Sequence, residues 1–328
     1  MQRPCMSQLP ATLVAALLHL RRLDLCANHD LIIGTRLTAL SSLRELSLVS
    51  YDVVVKPGAT LPPSLTKIYL SNALCLPPPV AALPNLRHLL LEEMEEGVLG
   101  QLSLLAGCLE HLELRRCYSL PPAEAPGALT RLQSFHLWDP PRPFDFWHLP
   151  PDETSITGAD VAAVLAALPP SLTALTLTLG DIGDDALAIL APIAALSWLQ
   201  RLRLAGDLPH SLALPPESGW WAGLRILALP ASVAAADAAA LTAGALQLEA
   251  LILFGFCGSE VPHSSVVLQA AERLPRLRHM CVESLKSLDS RGKHPDRECF
   301  VHLLSQLARD RALFQPCSKR DSLVLACL

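Results

Sequence analysis

The sequence predicts an α/β solenoid, a curved stack of short parallel strands joined by return segments, and three observations predict it. A six-residue phrase, Leu-x-x-Leu-x-Leu, recurs eleven times between residues 20 and 282. Nearly all of its copies begin 21 to 29 residues apart. Hydrophobic residues make up 51% of the chain but aromatics only 5%, so Leu, Ala and Val must build the interior. A chain of 328 residues would ordinarily split into about two globular domains. A solenoid escapes that limit because each turn touches only its neighbours and the core grows along one axis.

The phrases run in order as Leu20-Leu23-Leu25, Leu43-Leu46-Leu48, Leu65-Ile68-Leu70, Leu86-Leu89-Leu91, Leu109-Leu112-Leu114 and Leu132-Phe135-Leu137. After a gap come Leu172-Leu175-Leu177, Leu199-Leu202-Leu204, Leu224-Leu227-Leu229 and Leu248-Leu251-Leu253, with Leu277-Met280-Val282 as a weaker eleventh. Successive first leucines are 23, 22, 21, 23, 23, 40, 27, 25, 24 and 29 residues apart. Within each phrase the alternating part is a strand that turns its apolar residues inward and the intervening ones outward. One strand cannot bury that apolar side alone; stacking at about 4.8 Å builds a leucine ladder and a parallel sheet. The return segments take more width than a strand, so the stack curves with the sheet on its concave face.

Over residues 20–285 the chain resembles the leucine-rich-repeat superfamily. Leu20-x-x-Leu23-x-Leu25-x-x-Asn28 fits the full family phrase, and Cys117 holds the Asn place in the fifth repeat, where the family accepts Cys. The resemblance implies that this side chain satisfies backbone groups where the strand turns away. Tyr51, Ala73, Met94, Pro140, Gly180, Asp207 and Ser232 occupy the place elsewhere, so no regular Asn ladder is expected. Ile182-Gly183-Asp184-Asp185-Ala186-Leu187, followed by Leu199-x-x-Leu202-x-Leu204, looks like the ribonuclease-inhibitor-like type, which makes the subtype mixed.

The return segments read as mixed helical and extended. Residues 158–168, 184–190, 234–245 and 266–273 have helical spacing. Lys56-Pro57-Gly58 and Leu61-Pro62-Pro63-Ser64 cannot be helix interior and should be extended or single turns. Leu-Pro-Pro-Ser-Leu-Thr occurs at 61–66 and again at 168–173, each time feeding a strand. Leu13–Leu18 is expected as a convex-side helix leading into the first repeat rather than as a signal segment. The domain reading is a solenoid over 1–290 with an insertion at 139–157, then a helical cap and tail over 291–328. Phe300, Leu303, Leu304 and Leu307 lie at helical spacing within that cap, and terminal repeats need such a cover.

The third, fifth and seventh places of each phrase share the concave face. On the first six strands these columns carry charge, His, Tyr and Trp; on the ninth and tenth they carry Ile226, Ala228, Pro230, Ile252 and Phe254. Interface hot spots favour Trp, Tyr and Arg. The candidate patch is therefore Tyr69, His88, His111, Glu113, Arg115, His136 and Trp138, with Arg115 placed to meet Trp138 in a cation–π contact. The insertion adds Phe144, Phe146 and Trp147, and it either overhangs the concave face or folds back over its own edge. Glu92-Glu93-Met94-Glu95-Glu96 reads as an acidic, solvated turn.

Net charge of −5 and a pI near 6.1 give no basic excess for nucleic acid as the main partner. The ten cysteines include no Cys-x-x-Cys pair and no metal-site spacing, and reduced thiols in a cytoplasmic or nuclear protein are the expectation. No phosphate-binding, metalloprotease or nucleophile-elbow motif occurs, so neither catalysis nor a cofactor is expected, and a metal at the three histidines is discounted. No run is long and apolar enough to span a membrane. The reading is a monomeric protein–protein interaction module that takes its partner on the concave face. The resemblance also allows a substrate-recognition subunit of a ubiquitin ligase, truncated of its F-box-like part, or a GTPase-regulating repeat protein.

Overall fold

In the computed structural model, residues 17–26, 31–33, 35–50, 53–55, 60–72, 76–94, 96–139, 156–179, 188–206, 219–230, 233–234, 243–254, 273–283, 315–316 and 323–326 are described. They fall into two compact units, Met1–Leu172 and Thr173–Leu328. Residues 184–187, 235–242 and 266–272 of the expected helices, most of the 139–157 insertion, residues 300–307 of the expected cap and most of 13–18 lie outside the described residues, while Leu190 begins a described helix.

The first unit holds β1 (Arg22–Cys26), β2 (Leu31–Ile33), β3 (Glu45–Val49), β4 (Val53–Val55), β5 (Lys67–Ser71), β6 (His88–Glu92), β7 (His111–Arg115) and β8 (Ser134–Asp139). Each of β1, β3, β5, β6, β7 and β8 begins at the third place of a phrase, and all pair in parallel without slip. Arg22 faces Glu45, Glu45 faces Lys67, Lys67 faces His88, His88 faces His111 and His111 faces Ser134. A one-residue slip would turn every leucine to the wrong side, so the apolar pattern itself sets this register. The second unit repeats the arrangement with β9 (Ala174–Leu179), β10 (Arg201–Gly206), β11 (Ile226–Pro230), β12 (Ala250–Phe254) and β13 (His279–Glu283). The unit ends with β14 (Gln315–Pro316) and β15 (Leu323–Ala326), the latter antiparallel to both β13 and β14. This is a leucine-rich-repeat fold.

Leucines at the first, fourth and sixth places form the core. Leu43, Leu46, Leu48, Leu65, Ile68, Leu70, Leu112, Leu114 and Phe135 are all buried, each stabilising by about 1.5–3 kcal/mol relative to exposure. The backbone locks the stack with one recurring device: the second-place carbonyl of each strand accepts two N–H groups from the next. Arg21 O takes Arg44 N (2.8 Å) and Glu45 N (3.0 Å), and Arg44, Thr66, Arg87 and Glu110 repeat it. Further devices occupy the turns before the strands, where Asn85 Nδ2 donates to Pro63 O (2.9 Å) and Ser171 Oγ to Thr130 O (3.1 Å).

The return segments are short and mixed, as expected from their prolines. Residues 61–64 contain a turn and no helix, whereas Gly158–Ala167 is a helix begun by a capping box. Thr157 Oγ1 accepts from Asp160 N (3.2 Å) and the Asp160 carboxylate accepts from Thr157 N (3.0 Å), which satisfies two of the helix's otherwise unpaired donors. Shorter helices occupy Pro78–Ala81, Glu96–Gly100, Glu124–Ala128 and Leu190–Ala195. A second small sheet pairs β2 with β4 through the β-branched run Val53–Val55.

Candidate interaction site

Immediately after β5, β6 and β7 the chain turns through the left-handed region, at Asn72 (φ 58°), Glu93 (φ 56°) and Arg116 (φ 47°). All three hold the eighth place of their phrases. Each donates its N–H to the seventh-place carbonyl of the following strand: Asn72 to Glu92 (3.0 Å), Glu93 to Arg115 (2.9 Å) and Arg116 to Trp138 (2.8 Å). These bonds hold a conformation that Glu and Arg adopt rarely. They also fix where the seventh-place side chains of the next strand sit. Cys117 follows at the ninth place, buried, with its Sγ 3.6 Å from the Arg115 carbonyl oxygen, the backbone-capping role that the repeat resemblance implies.

The site grows on this frame. Glu92, at the end of β6, is only 7% exposed. Its carboxylate accepts from the Tyr69 hydroxyl on one side and from Arg116 Nη2 (2.5 Å) on the other. Burial by itself would raise the Glu92 pKa. The bonds from Tyr69 and Arg116, with the charges of Arg116 and Arg115, outweigh it and leave the carboxyl below its usual value. Burial and the bond to Glu92 push the Tyr69 phenol up to about 12. Arg116 also lies 3.3 Å from Glu93. The acidic-turn reading of 92–96 is therefore corrected for its first residue: Glu92 is a strand residue, buried and paired, because the side chains of neighbouring turns close over it.

On β7, Arg115 Nε donates to Glu113 Oε1 at 2.6 Å. The Arg115 guanidinium carbon lies 5.5 Å from the centroid of the Trp138 ring on β8, forming the cation–π contact. Trp138 remains 37% exposed. Across β6 and β7, the rings of His88 and His111 stack with centroids 4.1 Å apart and planes 10° apart. Burial, and then the neighbouring His111 and Lys67, lower the His88 pKa, which favours a neutral ring. His136 faces Glu113 in the β7–β8 register.

Seven of the sequence-derived candidates, Tyr69, His88, His111, Glu113, Arg115, His136 and Trp138, thus occupy consecutive strands of one unit on one face. Phe144, Phe146 and Trp147 lie outside the described residues, as do residues 182–187 of the ribonuclease-inhibitor-like stretch. Sequence reasoning missed Glu92 and Arg116 as members. Glu92 stands in the seventh column and was legible there; Arg116 stands after the strand, where period-two reasoning does not reach. Among the described residues no group of three or more His, Cys, Asp or Glu is placed to hold a metal ion, and no helix is long and apolar enough to cross a membrane.

Neither a family model nor a curated protein matches the chain. Among solved structures it is similar to an internalin from Listeria monocytogenes, with TM-score 0.46, 18% identity, and coverage of 83% of this chain and 70% of that one. An LRR protein from Leptospira interrogans gives 0.29 and 16%, covering 87% and 83%. The leucine-rich-repeat-containing protein LegL7 from Legionella pneumophila gives 0.41 and 13%, covering 85% and 98%. The fold stands on the strand register rather than on these likenesses.

Proposed function

We propose that the protein is a protein–protein interaction module, monomeric and without chemistry of its own, that takes its partner on the concave face over β5–β8. The observation that carries the reading is the Arg115–Trp138 pair. Two residue types enriched in hot spots sit against each other with part of the indole still in water. Arg115 is held by Glu113, and Trp138 by its strand and by the Arg116 N–H on its carbonyl. A side chain already fixed loses little entropy when a partner closes over it, so contact area converts into affinity more efficiently. In this reading Tyr69 and Glu92 support the surface from beneath, His88, His111 and His136 border it, and Phe144, Phe146 and Trp147 extend it. The protein works in the cytoplasm or nucleus.

The test is quantitative affinity capture from the native cell, comparing wild type with Arg115→Ala/Trp138→Ala after circular dichroism shows both folded. Truncating a hot-spot residue costs about 2 kcal/mol or more, roughly thirtyfold in affinity. A partner held by wild type and lost by the variant supports the reading. A partner held equally by both moves the site off this face, and the proposal fails.

A further inference from the structure

The turns that precede the strands follow one pattern in both units. At most of them the residue three before the phrase accepts the N–H of the phrase's first residue, leaving two residues at the tip, whereas Leu109 N reaches back one residue further to Leu105 O. In the first unit the second tip residue serves the stack. Ser64 Oγ donates to Leu43 O (2.7 Å), Asn85 to Pro63 O, Arg131 to Gly107 O (3.4 Å) and Ser171 to Thr130 O. In the second unit the fourth tip does the same, Arg276 donating to the Gln247 side chain of the preceding tip, whereas Trp198 and Leu246 place large apolar side chains at theirs. Leu199 N bonds Leu196 O (3.0 Å), Leu224 N bonds Trp221 O (3.0 Å) and Leu248 N bonds Ala245 O (3.1 Å). The tips are then Ser197-Trp198, Ala222-Gly223 and Leu246-Gln247, with Pro275-Arg276 at the fourth turn. Trp198 is 67% exposed and Leu246 51% exposed. They stand two turns apart, about 10 Å at the spacing of parallel strands.

Four exposed arginines flank this row: Arg201, Arg225, Arg276 and Arg278. Against them the second- and third-place residues of the same strands offer one carboxylate, Glu249, at 4.0 Å from Arg225 Nε. No acidic residue stands at any of the four tips. The arrangement is cationic and carries a large aromatic and an aliphatic side chain that project from turns instead of lining a groove.

A projecting Trp and Leu with arginines behind them suit a deformable surface that accepts side chains into itself and carries negative charge. We propose that the strand-entry edge of the second unit is a peripheral docking surface for an anionic lipid bilayer, with Trp198 and Leu246 entering the headgroup layer and Arg201, Arg225, Arg276 and Arg278 meeting lipid phosphates. Indole rings favour the headgroup level of a bilayer. Each basic side chain near an anionic leaflet strengthens binding roughly fivefold. This surface is separate from the Arg115–Trp138 face and does not depend on a partner there.

The experiment is vesicle co-sedimentation of the full chain at physiological salt. Phosphatidylcholine vesicles are compared with vesicles in which about one lipid in three is phosphatidylserine. Wild type should sediment with the anionic vesicles only. Trp198→Ala/Leu246→Ser should bind at least about tenfold more weakly, and Arg225→Gln/Arg276→Gln should weaken binding by a similar factor. Arg115→Ala/Trp138→Ala should bind vesicles as wild type does, which keeps this proposal distinct from the concave-face reading. The substituted side chains of the second unit are all exposed, Arg115 is half-buried, and circular dichroism checks folding of every variant. Absence of wild-type binding to anionic vesicles, or equal binding by the tip variants, overturns the proposal. So does Trp198-dependent binding of a polyglutamate peptide with no vesicle binding, which would make the occupant an acidic protein.

Discussion

Replacing Glu92 by Gln keeps the shape of the buried side chain and changes one oxygen to an amide. In the wild type each carboxylate oxygen faces a donor, Oε2 the Tyr69 hydroxyl and Oε1 the Arg116 guanidinium. A Gln side chain has one acceptor and one NH2. The amide oxygen stays with Arg116, which can only donate, and the NH2 then donates to the Tyr69 hydroxyl oxygen, which can accept; the hydroxyl loses its own acceptor and must turn its proton elsewhere, and a part-buried donor left unpaired costs about 1–3 kcal/mol. Loss of the charge costs less, about 0.5–1 kcal/mol, because Arg116 is half-exposed and solvent competes for it. The expected destabilisation of Glu92→Gln is about 3 kcal/mol. Tyr69→Phe alone removes one hydrogen bond and should cost about 1 kcal/mol. In Tyr69→Phe/Glu92→Gln the amide can turn its NH2 toward the ring while its oxygen still accepts from Arg116. The double variant should therefore be more stable than the sum of the singles predicts, by about 1 kcal/mol. Urea denaturation followed by far-UV circular dichroism measures all three. Strict additivity, or a Glu92→Gln effect below about 0.5 kcal/mol, would refute the two-donor argument.

Gly206 closes β10 at φ 103° with its would-be Cβ 1.6 Å from the Leu179 carbonyl oxygen, so Gly206→Ala should destabilise by at least about 3 kcal/mol, measured by urea denaturation. Thr157→Ala removes the capping box and should cost about 1 kcal/mol, read as a fall in the urea midpoint. The Tyr69 phenol, raised from 10.0 to about 12, favours the folded state fully below pH 10 and loses that contribution as pH rises toward 12. A spectrophotometric phenolate titration of wild type against Tyr69→Phe should show the late-titrating group vanish in the variant. Glu92, held below its usual value, has the opposite sign. Its contribution is present above the unfolded carboxylate pKa and lost as pH falls through the folded one, so wild type and Glu92→Gln should converge in stability on acidification.

The strands were legible because a buried period-two pattern leaves one permitted register. The phrase alone places Tyr69, Glu113 and Arg115 on one face, and the Arg115–Trp138 contact follows from their sharing a column. Burial was not legible in the same way. Glu92 sits among acidic neighbours that suggest a solvated turn, and only the lateral arrival of Tyr69 and Arg116 makes it an interior carboxylate. Nor did composition reveal the left-handed places after the strands. Asn72 and Gly206 are residues that such a backbone favours, but Glu93 and Arg116 are forced there by hydrogen bonds from a neighbouring repeat. The pairing of β15 with β13 was missed because four apolar residues near the terminus, Leu323–Ala326, carry no repeat phrase and their partner is distant in sequence.

The doubly accepting carbonyl at the second place of each strand uses no side chain. Arg21, Arg44, Thr66, Arg87 and Glu110 make the same pair of bonds although their side chains run from cationic through neutral to anionic. The stack is thus held by a grammar indifferent to vocabulary. Substitutions along that edge can exchange one charge for its opposite while the amides beneath stay equally protected from solvent exchange. Architecture and recognition are then inherited on separate channels, and a surface of this kind can acquire a new ligand without first negotiating with its own fold.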